Sequence, residues 1–230
     1  VCKALTLAIN RQQITAAVTR GGEVPALAFV AKGMPDATST NDFRTVGGSF
    51  YKDNDIATAK ALLAQAGYPN GKGFPKFSIL IGTSSALKSL GEAIQGMWKT
   101  NLGITCTLRP EESGVYMDDR NNGFYDVAAA QWSADYMDAN TFLDIFQSGS
   151  GNNDTGWTSK GYDALIIKEK STGDQKVSMK ALHDAEKMLM ANMPVMPIFY
   201  RTSPVLLSKH IKNFYQSPMG FIDWKLTYMS

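Results

Sequence analysis

Between Asp53 and Arg109 the spacing of apolar residues switches from helical to strand-like and back, and that alternation limits the fold more than any other feature of the chain. Asp53 is placed to cap a helix whose apolar face is Ile56, Ala59, Leu63 and Ala66, with Gly67 as a left-handed stop and Pro69 just beyond. Phe77 to Gly82 reads as a buried strand. Leu87, Leu90, Ile94, Met97 and Trp98 then form one helical stripe, and Ile104, Cys106 and Leu108 alternate with Thr105, Thr107 and Arg109 as in a half-buried strand. Strands alternating with helices define an α/β domain.

The flanks extend this pattern. Leu5, Ala8, Ile9, Ile14, Ala17 and Val18 recur at near-helical spacing, which predicts one helix or two broken near Asn10. Gly21 to Gly48 reads as a long loop, and loops of that length are more often functional than idle. A short polar helix over Gly114 to Asn121 leads to a strand-like run from Tyr125 to Trp132. A short helix with Phe142, Ile145 and Phe146 inward, a loop from Gly149 to Gly156, and helices over Tyr162 to Lys170 and Gln175 to Ala191 follow. The last helix points Val177, Ala181, Ala185, Met188 and Leu189 inward. From Val195 the pattern changes to short strands broken by Pro197, Pro204 and Pro218, as though another structural unit begins there.

With 44% hydrophobic and 19% charged residues, the 230-residue chain can bury one substantial core or two small ones. The net charge of +2 is spread without a run of one sign, so no nucleic-acid partner or polybasic membrane patch is expected. No stretch approaches the roughly 18 consecutive apolar residues of a membrane span. The chain lacks a secretion signal and enters an amphipathic pattern by Ala4, which reads as a fragment beginning inside a domain. Cys2 and Cys106 either form one bridge or are two buried thiols, the preferred reading. A lipid-modified Cys2 is a third option, without the lipobox that would precede it.

Catalytic groups are sparse. No GxSxG elbow, HExxH, P-loop or GxGxxG occurs, and neither histidine lies near a cysteine, so neither an enzyme nor a zinc site is expected. His183, beside Asp184 and Glu186, reads as part of a solvated helix face, and His210 as part of a turn between strands. Asp135 and Asp138 are more informative, because they flank Tyr136 just after a strand-like run ending at Trp132. Carboxylates at the carboxyl end of an α/β strand lie where ligands of such sheets bind. Asp138 reads as the cap of the helix starting near Ala139, which leaves Asp135 as the better ligand candidate.

The segments ALTLAINRQQI, DIATAKALLAQAGYPNG, MWKTNLGITCTL, YDVAAAQWSADYMDANTFL and MPVMPIFY, in this order, resemble the C-terminal lobe of the extracytoplasmic oligopeptide- and dipeptide-binding proteins of ABC importers. The resemblance runs over nearly the whole chain. It implies one α/β lobe of a type II periplasmic-binding-protein clamshell, a mixed sheet flanked by helices. Residues 1–194 would form the ligand-binding lobe, and 195–230 a strand-rich tail returning to the missing N-terminal lobe. The implied partners are a peptide, that N-terminal lobe and the importer's membrane permease subunits, with no cofactor. The implied location is the periplasm, or the cell surface through a lipid anchor.

In the family the acid of the W-x-A-D-Y-type motif pairs with the peptide's α-amino group, and here that acid is Asp135. The match implies that Trp132 walls a side-chain pocket, that the backbones of Gln131 and Ser133 pair with the extended peptide, and that Tyr136 belongs to the same site. Ala139 stands where relatives often have proline, so the local turn departs from the pattern. Arg120 aligns with a position that can be basic near the cleft, surface solvation being the rival reading. Asn152, Asn153 and Trp157 line the pocket or form an ordinary surface turn. A nickel- or haem-binding relative, a sensory module of a regulator and, last, a hydrolase are the alternatives.

Overall fold

The computed structural model describes residues 1–38, 40–217 and 220–230, so Pro218 lies outside the described residues. Helix α1 (Cys2–Leu7) buries Ala4, Leu5, Thr6 and Leu7. The expected break falls at Asn10, whose side chain accepts the Gln13 N–H and so starts α2 (Arg11–Gln13). This helix widens into a π-helical turn that ends at Arg20 in the left-handed region, φ 54°. The long loop holds two short elements, strand β1 (Val24–Pro25) and helix α3 (Phe43–Gly47). Helix α4 (Ile56–Gln65) is capped by Asp55 rather than Asp53. Asp53 instead turns back to Arg11, a partner 42 positions away that no local spacing could reveal.

The sheet that positions the site comprises β2 (Ser78–Gly82), β3 (Thr107–Glu111) and β4 (Val127–Ala128) in the order β3-β2-β4, all parallel. Helix α5 (Ser85–Leu102) makes the crossover from β2 to β3, and α6 (Ser113–Asn121) the one from β3 to β4. Ser84 caps α5 through the Leu87 N–H, and Trp98 is fully buried with its indole donating to the Leu5 carbonyl. One core gathers α1, α4, α5 and the sheet around Trp98, Leu102 and Ile104. Cys106 is buried there while Cys2 is exposed, and both are free thiols, which corrects the expectation of two buried ones.

A second core lies under helices α7 (Asn140–Leu143), α8 (Lys160–Lys170) and α9 (Gln175–Asn192), with Phe142, Leu143, Tyr162, Ile166 and Leu182 inward. His183 does not lie on a solvated face. Asp36 and Phe43 reach over α9, so the His183 ring stacks on Phe43 at 4.0 Å between centroids, and its Nε2 lies 2.7 Å from Asp36 Oδ2. Glu186, one turn on, is fully buried and meets Arg44 at 2.5 Å.

Strand β5 (Phe199–Tyr200) pairs antiparallel with β1, and Met196, Ile198 and Phe199 pack on the first core. Pairing and packing against this lobe therefore continue past position 194 as far as Tyr200. Beyond it, β6 (Ile211–Lys212) pairs with β9 (Tyr228–Met229) and β7 (Tyr215–Gln216) with β8 (Ile222–Asp223), both antiparallel. This tail leaves Leu206, Phe221, Leu226 and Met229 in the open.

Candidate functional site

The carboxyl ends of parallel strands are where open α/β sheets hold ligands. Here β4 stops after two residues, and the chain runs on from that end through Ala129 to Ala134 without a turn or bend. Ala129 is still anchored, since its N–H donates to the Leu80 carbonyl at 2.9 Å and its own carbonyl accepts the Tyr116 hydroxyl. Among the described residues, the main-chain N–H and C=O groups of Ala130 to Ala134 make no hydrogen bond. An exposed run of unpaired backbone is a template for a further strand. The strand expected over Tyr125 to Trp132 is regular only at Val127–Ala128, and after the Ala129 N–H bond to Leu80 the main chain of Ala130 to Ala134 adds no further ladder bond among the described residues.

The run ends at Asp135, which is exposed and whose carboxylate has no ion-pair partner among the described residues. Its backbone N–H donates to Thr141 Oγ1 at 3.0 Å. Trp132 is half-buried against the second core, and its indole N–H donates to the Thr141 carbonyl at 2.7 Å. Asp138 accepts the Asn140 N–H at 2.8 Å from one residue ahead of the N-cap, which is Ala139 and has no side-chain cap, so the expected capping by Asp138 is replaced by a turn contact leading into α7. Tyr136 donates its hydroxyl to Asn140 Oδ1 at 3.1 Å.

The electrostatics around Tyr136 are one-sided. Burial pushes its phenol up to about 12, and the Asp144, Asp138, Glu169 and Asp135 carboxylates push the same way, so it stays a neutral donor. Burial also raises the Glu169 carboxyl, helped by Asp138 and Asp144 and opposed by the Asn140 amide and Lys170. Lys170 is paired to Asp144 at 3.3 Å. Three carboxylates thus lie close to the phenol beside Asp135, a surface that attracts a cation.

The other expected residues split. Gln131 is exposed at the far end of the run and accepts the Arg201 guanidinium; Ser133, between Trp132 and Asp135, is exposed. Arg120 is not free: its Nε lies 2.8 Å from Asp154 Oδ2, and its guanidinium lies over the Tyr116 ring. Tyr125 donates to the Asp154 carbonyl, so the loop after the 3-10 turn at Asp144–Phe146 is tied to α6 and the entry of β4. Within that loop Asn153 donates to the Trp157 and Phe146 carbonyls at 2.9 and 3.3 Å, and Trp157 packs edge-on against Tyr162 at 5.1 Å. Asn152 is exposed. Thr141 and Arg201 are the contacts that sequence reasoning missed. Nothing in the spacing marks Thr141 apart from an ordinary polar residue of a helix, and Arg201 lies 70 positions from Gln131.

The described residues thus form an α/β lobe with an unpaired stretch of main chain and a carboxylate without an ion-pair partner at the carboxyl end of its sheet. The chain belongs to the bacterial extracellular solute-binding proteins of family 5: the family model described as the "Middle" part matches residues 1–154. The dipeptide-binding protein DppE of Bacillus subtilis is 32% identical over 225 residues, covering 97% of this chain and 41% of that protein. The chain thus spans about two fifths of the length of the curated relatives it matches. The crystal structure of Haemophilus influenzae OppA in complex with RPPGFSPFR superposes with a TM-score of 0.80 at 30% identity, over 92% of this chain and 41% of that one. A crystal structure of a peptide-binding protein of a peptide ABC transporter superposes at 0.78 and 27% identity, over 86% of this chain and 88% of that one. The fold is that of one lobe of the type II clamshell. No described helix is long and apolar enough to cross a membrane.

Proposed function

We propose that this chain is the C-terminal ligand-binding lobe of the substrate-binding component of an ABC-type peptide importer, acting outside the cytoplasm without catalysis. The observation that carries the reading is the unpaired backbone of Ala130 to Ala134 leading directly to the unpaired carboxylate of Asp135. Main-chain pairing at Gln131 and Ser133 is indifferent to side-chain identity, so it suits a site that accepts many peptides. Asp135 takes the α-ammonium group, since an ammonium leaving water needs a partner charge. Trp132 walls the first side-chain pocket and Tyr136 lies beside the amine. Arg120, Asn153 and Trp157 shape the neighbouring wall through the loop they brace.

The second lobe completes the cleft. The tail beyond Tyr200, with Leu206, Phe221 and Leu226 exposed, packs on that lobe, and the importer's permease subunits receive the closed complex. The protein works in the periplasm or at the cell surface on a lipid anchor. The peptide-binding names of the relatives favour this reading over a nickel- or haem-binding relative, a sensor or a hydrolase. The test is to incubate the two-lobed protein with mixed peptides and analyse by mass spectrometry what is retained and what is cut. Intact retained peptides support the reading; turnover of any peptide, or retention of none, overturns it.

A further inference from the structure

We infer that Thr141 is the positioning residue that aims the Asp135 carboxylate, and that it thereby sets the preference for a free α-amino group; this rests on the peptide-binding reading above. Thr141 is only 1% exposed, on α7 between Asn140 and Phe142, both buried. It meets the site segment twice. Its Oγ1 accepts the Asp135 N–H at 3.0 Å, and its carbonyl accepts the Trp132 indole N–H at 2.7 Å. The acid and the aromatic wall, three positions apart, are thus registered on one residue of the packed core.

Among the described residues nothing else holds that stretch by its main chain. The run is fixed at its start where the Ala129 N–H reaches Leu80, and Ala130 to Ala134 make no main-chain hydrogen bond among the described residues. The Thr141 hydroxyl is therefore the first main-chain anchor after Ala129, and it acts on the residue that carries the carboxylate. A charge pair is sensitive to direction and distance, so releasing this amide lets the carboxylate wander without removing its charge. The indole bond to the Thr141 carbonyl survives any side-chain change, so the two contacts can be separated.

Thr141→Val keeps the branched shape and removes the acceptor; Thr141→Ser keeps the acceptor. Asp135 is exposed, so the N–H freed in Thr141→Val reaches water and the fold is expected to hold. Affinity for one peptide with a free amine and for its N-acetylated form is measured by calorimetry in the two-lobed protein, with Tm as a check on folding. The expected result is that Thr141→Val weakens the free-amine peptide about fivefold to tenfold, while the acetylated peptide and Tm change little. Thr141→Ser should restore the free-to-acetylated ratio.

Should Thr141→Val not fold, hydrogen exchange at the Asp135 amide of the unaltered protein decides: protection matching that of α7 supports the anchor, and exchange at the free rate overturns it. Asp135→Asn runs beside these variants. If it collapses the ratio and Thr141→Val does not, the role of Thr141 is wrong and the peptide reading stands. If neither variant moves the ratio, the amine reading fails and this inference with it. Equal losses for both peptides in Thr141→Val, with a lowered Tm, make Thr141 a purely structural residue and overturn the inference.

Discussion

Asp53 holds Arg11 from two directions. Its Oδ1 lies 3.0 Å from Arg11 Nη1, while its carboxylate also accepts the Arg11 and Gln12 backbone N–H groups that open α2. The guanidinium is fully buried and donates onward to the Pro197 carbonyl at 2.7 Å, which joins the start of the lobe to the segment that closes it.

Removing one partner of a buried pair leaves the other charge without its counter-ion. Asp53→Ala is therefore expected to lower unfolding stability by about 3 kcal/mol, discounted slightly because the carboxylate is partly exposed. Asp55→Ala, which loses only the solvent-exposed cap contact of α4, should cost clearly less. Urea unfolding of the two variants checks the ranking, and equal losses would contradict it.

Glu186 is another buried charge whose partners come from afar. It accepts the Phe29 and Val30 N–H groups at 3.1 and 2.9 Å as well as Arg44. Glu186→Leu should cost about 3 to 5 kcal/mol. Adding Arg44→Leu should recover part of that loss, because the second change removes the stranded charge. A double-mutant cycle with strictly additive losses would show that the two residues act independently.

These pairs mark what the sequence could and could not disclose. The helix ending at Gly67, the Ser84-to-Leu102 helix and the Ile104, Cys106, Leu108 alternation are local patterns, legible because each repeats over neighbouring residues, although regular strand pairing starts only at Thr107. Arg44 and Glu186 are 142 positions apart, and His183 and Asp36 are 147 apart, so no spacing rule could join them. His183 looked solvated because its own helix neighbours are charged; the loop covering it arrives from elsewhere. Trp132 and Asp135 stood out by residue type and place after a strand. Thr141 did not, since its part in the site depends on where α7 packs.

Gly103 ends α5 in the left-handed region, φ 72°, and a Cβ there would run into the Asn70 carbonyl oxygen. Gly103→Ala is expected to destabilise by about 2 kcal/mol or more, because backbone strain and the clash add. An unchanged thermal midpoint would show that the loop at Asn70 yields freely.

Asp42 gives the loop over α9 an acid-sensitive clasp. It accepts the Thr45 N–H at 2.8 Å and the Gly33 N–H at 2.5 Å. Burial raises its carboxyl, but the hydrogen bonds from Gly33 and Thr45 outweigh that, with help from Lys32, and the net shift is downward from 3.8. A depressed carboxyl contributes stability that is fully present above the unfolded pKa and lost as pH falls through the folded one. Hydrogen exchange in residues 33–45 should therefore quicken below about pH 4, and Asp42→Asn should abolish Asp42's own contribution to that dependence. An acid response unaltered by the substitution would assign the effect to another group.

The central claim, that Asp135 receives the amine of a peptide, is tested most directly by Asp135→Asn in the two-lobed protein, with calorimetry on a free-amine peptide and its N-acetylated twin. The account predicts a loss of about 2 to 5 kcal/mol for the free amine, the usual cost of removing one partner of a buried charge pair. It predicts a much smaller change for the acetylated peptide, which is already a poor ligand of the unaltered protein. Equal losses for the two peptides, accompanied by a drop in Tm, would contradict it and leave Asp135 as a brace for the turn into α7.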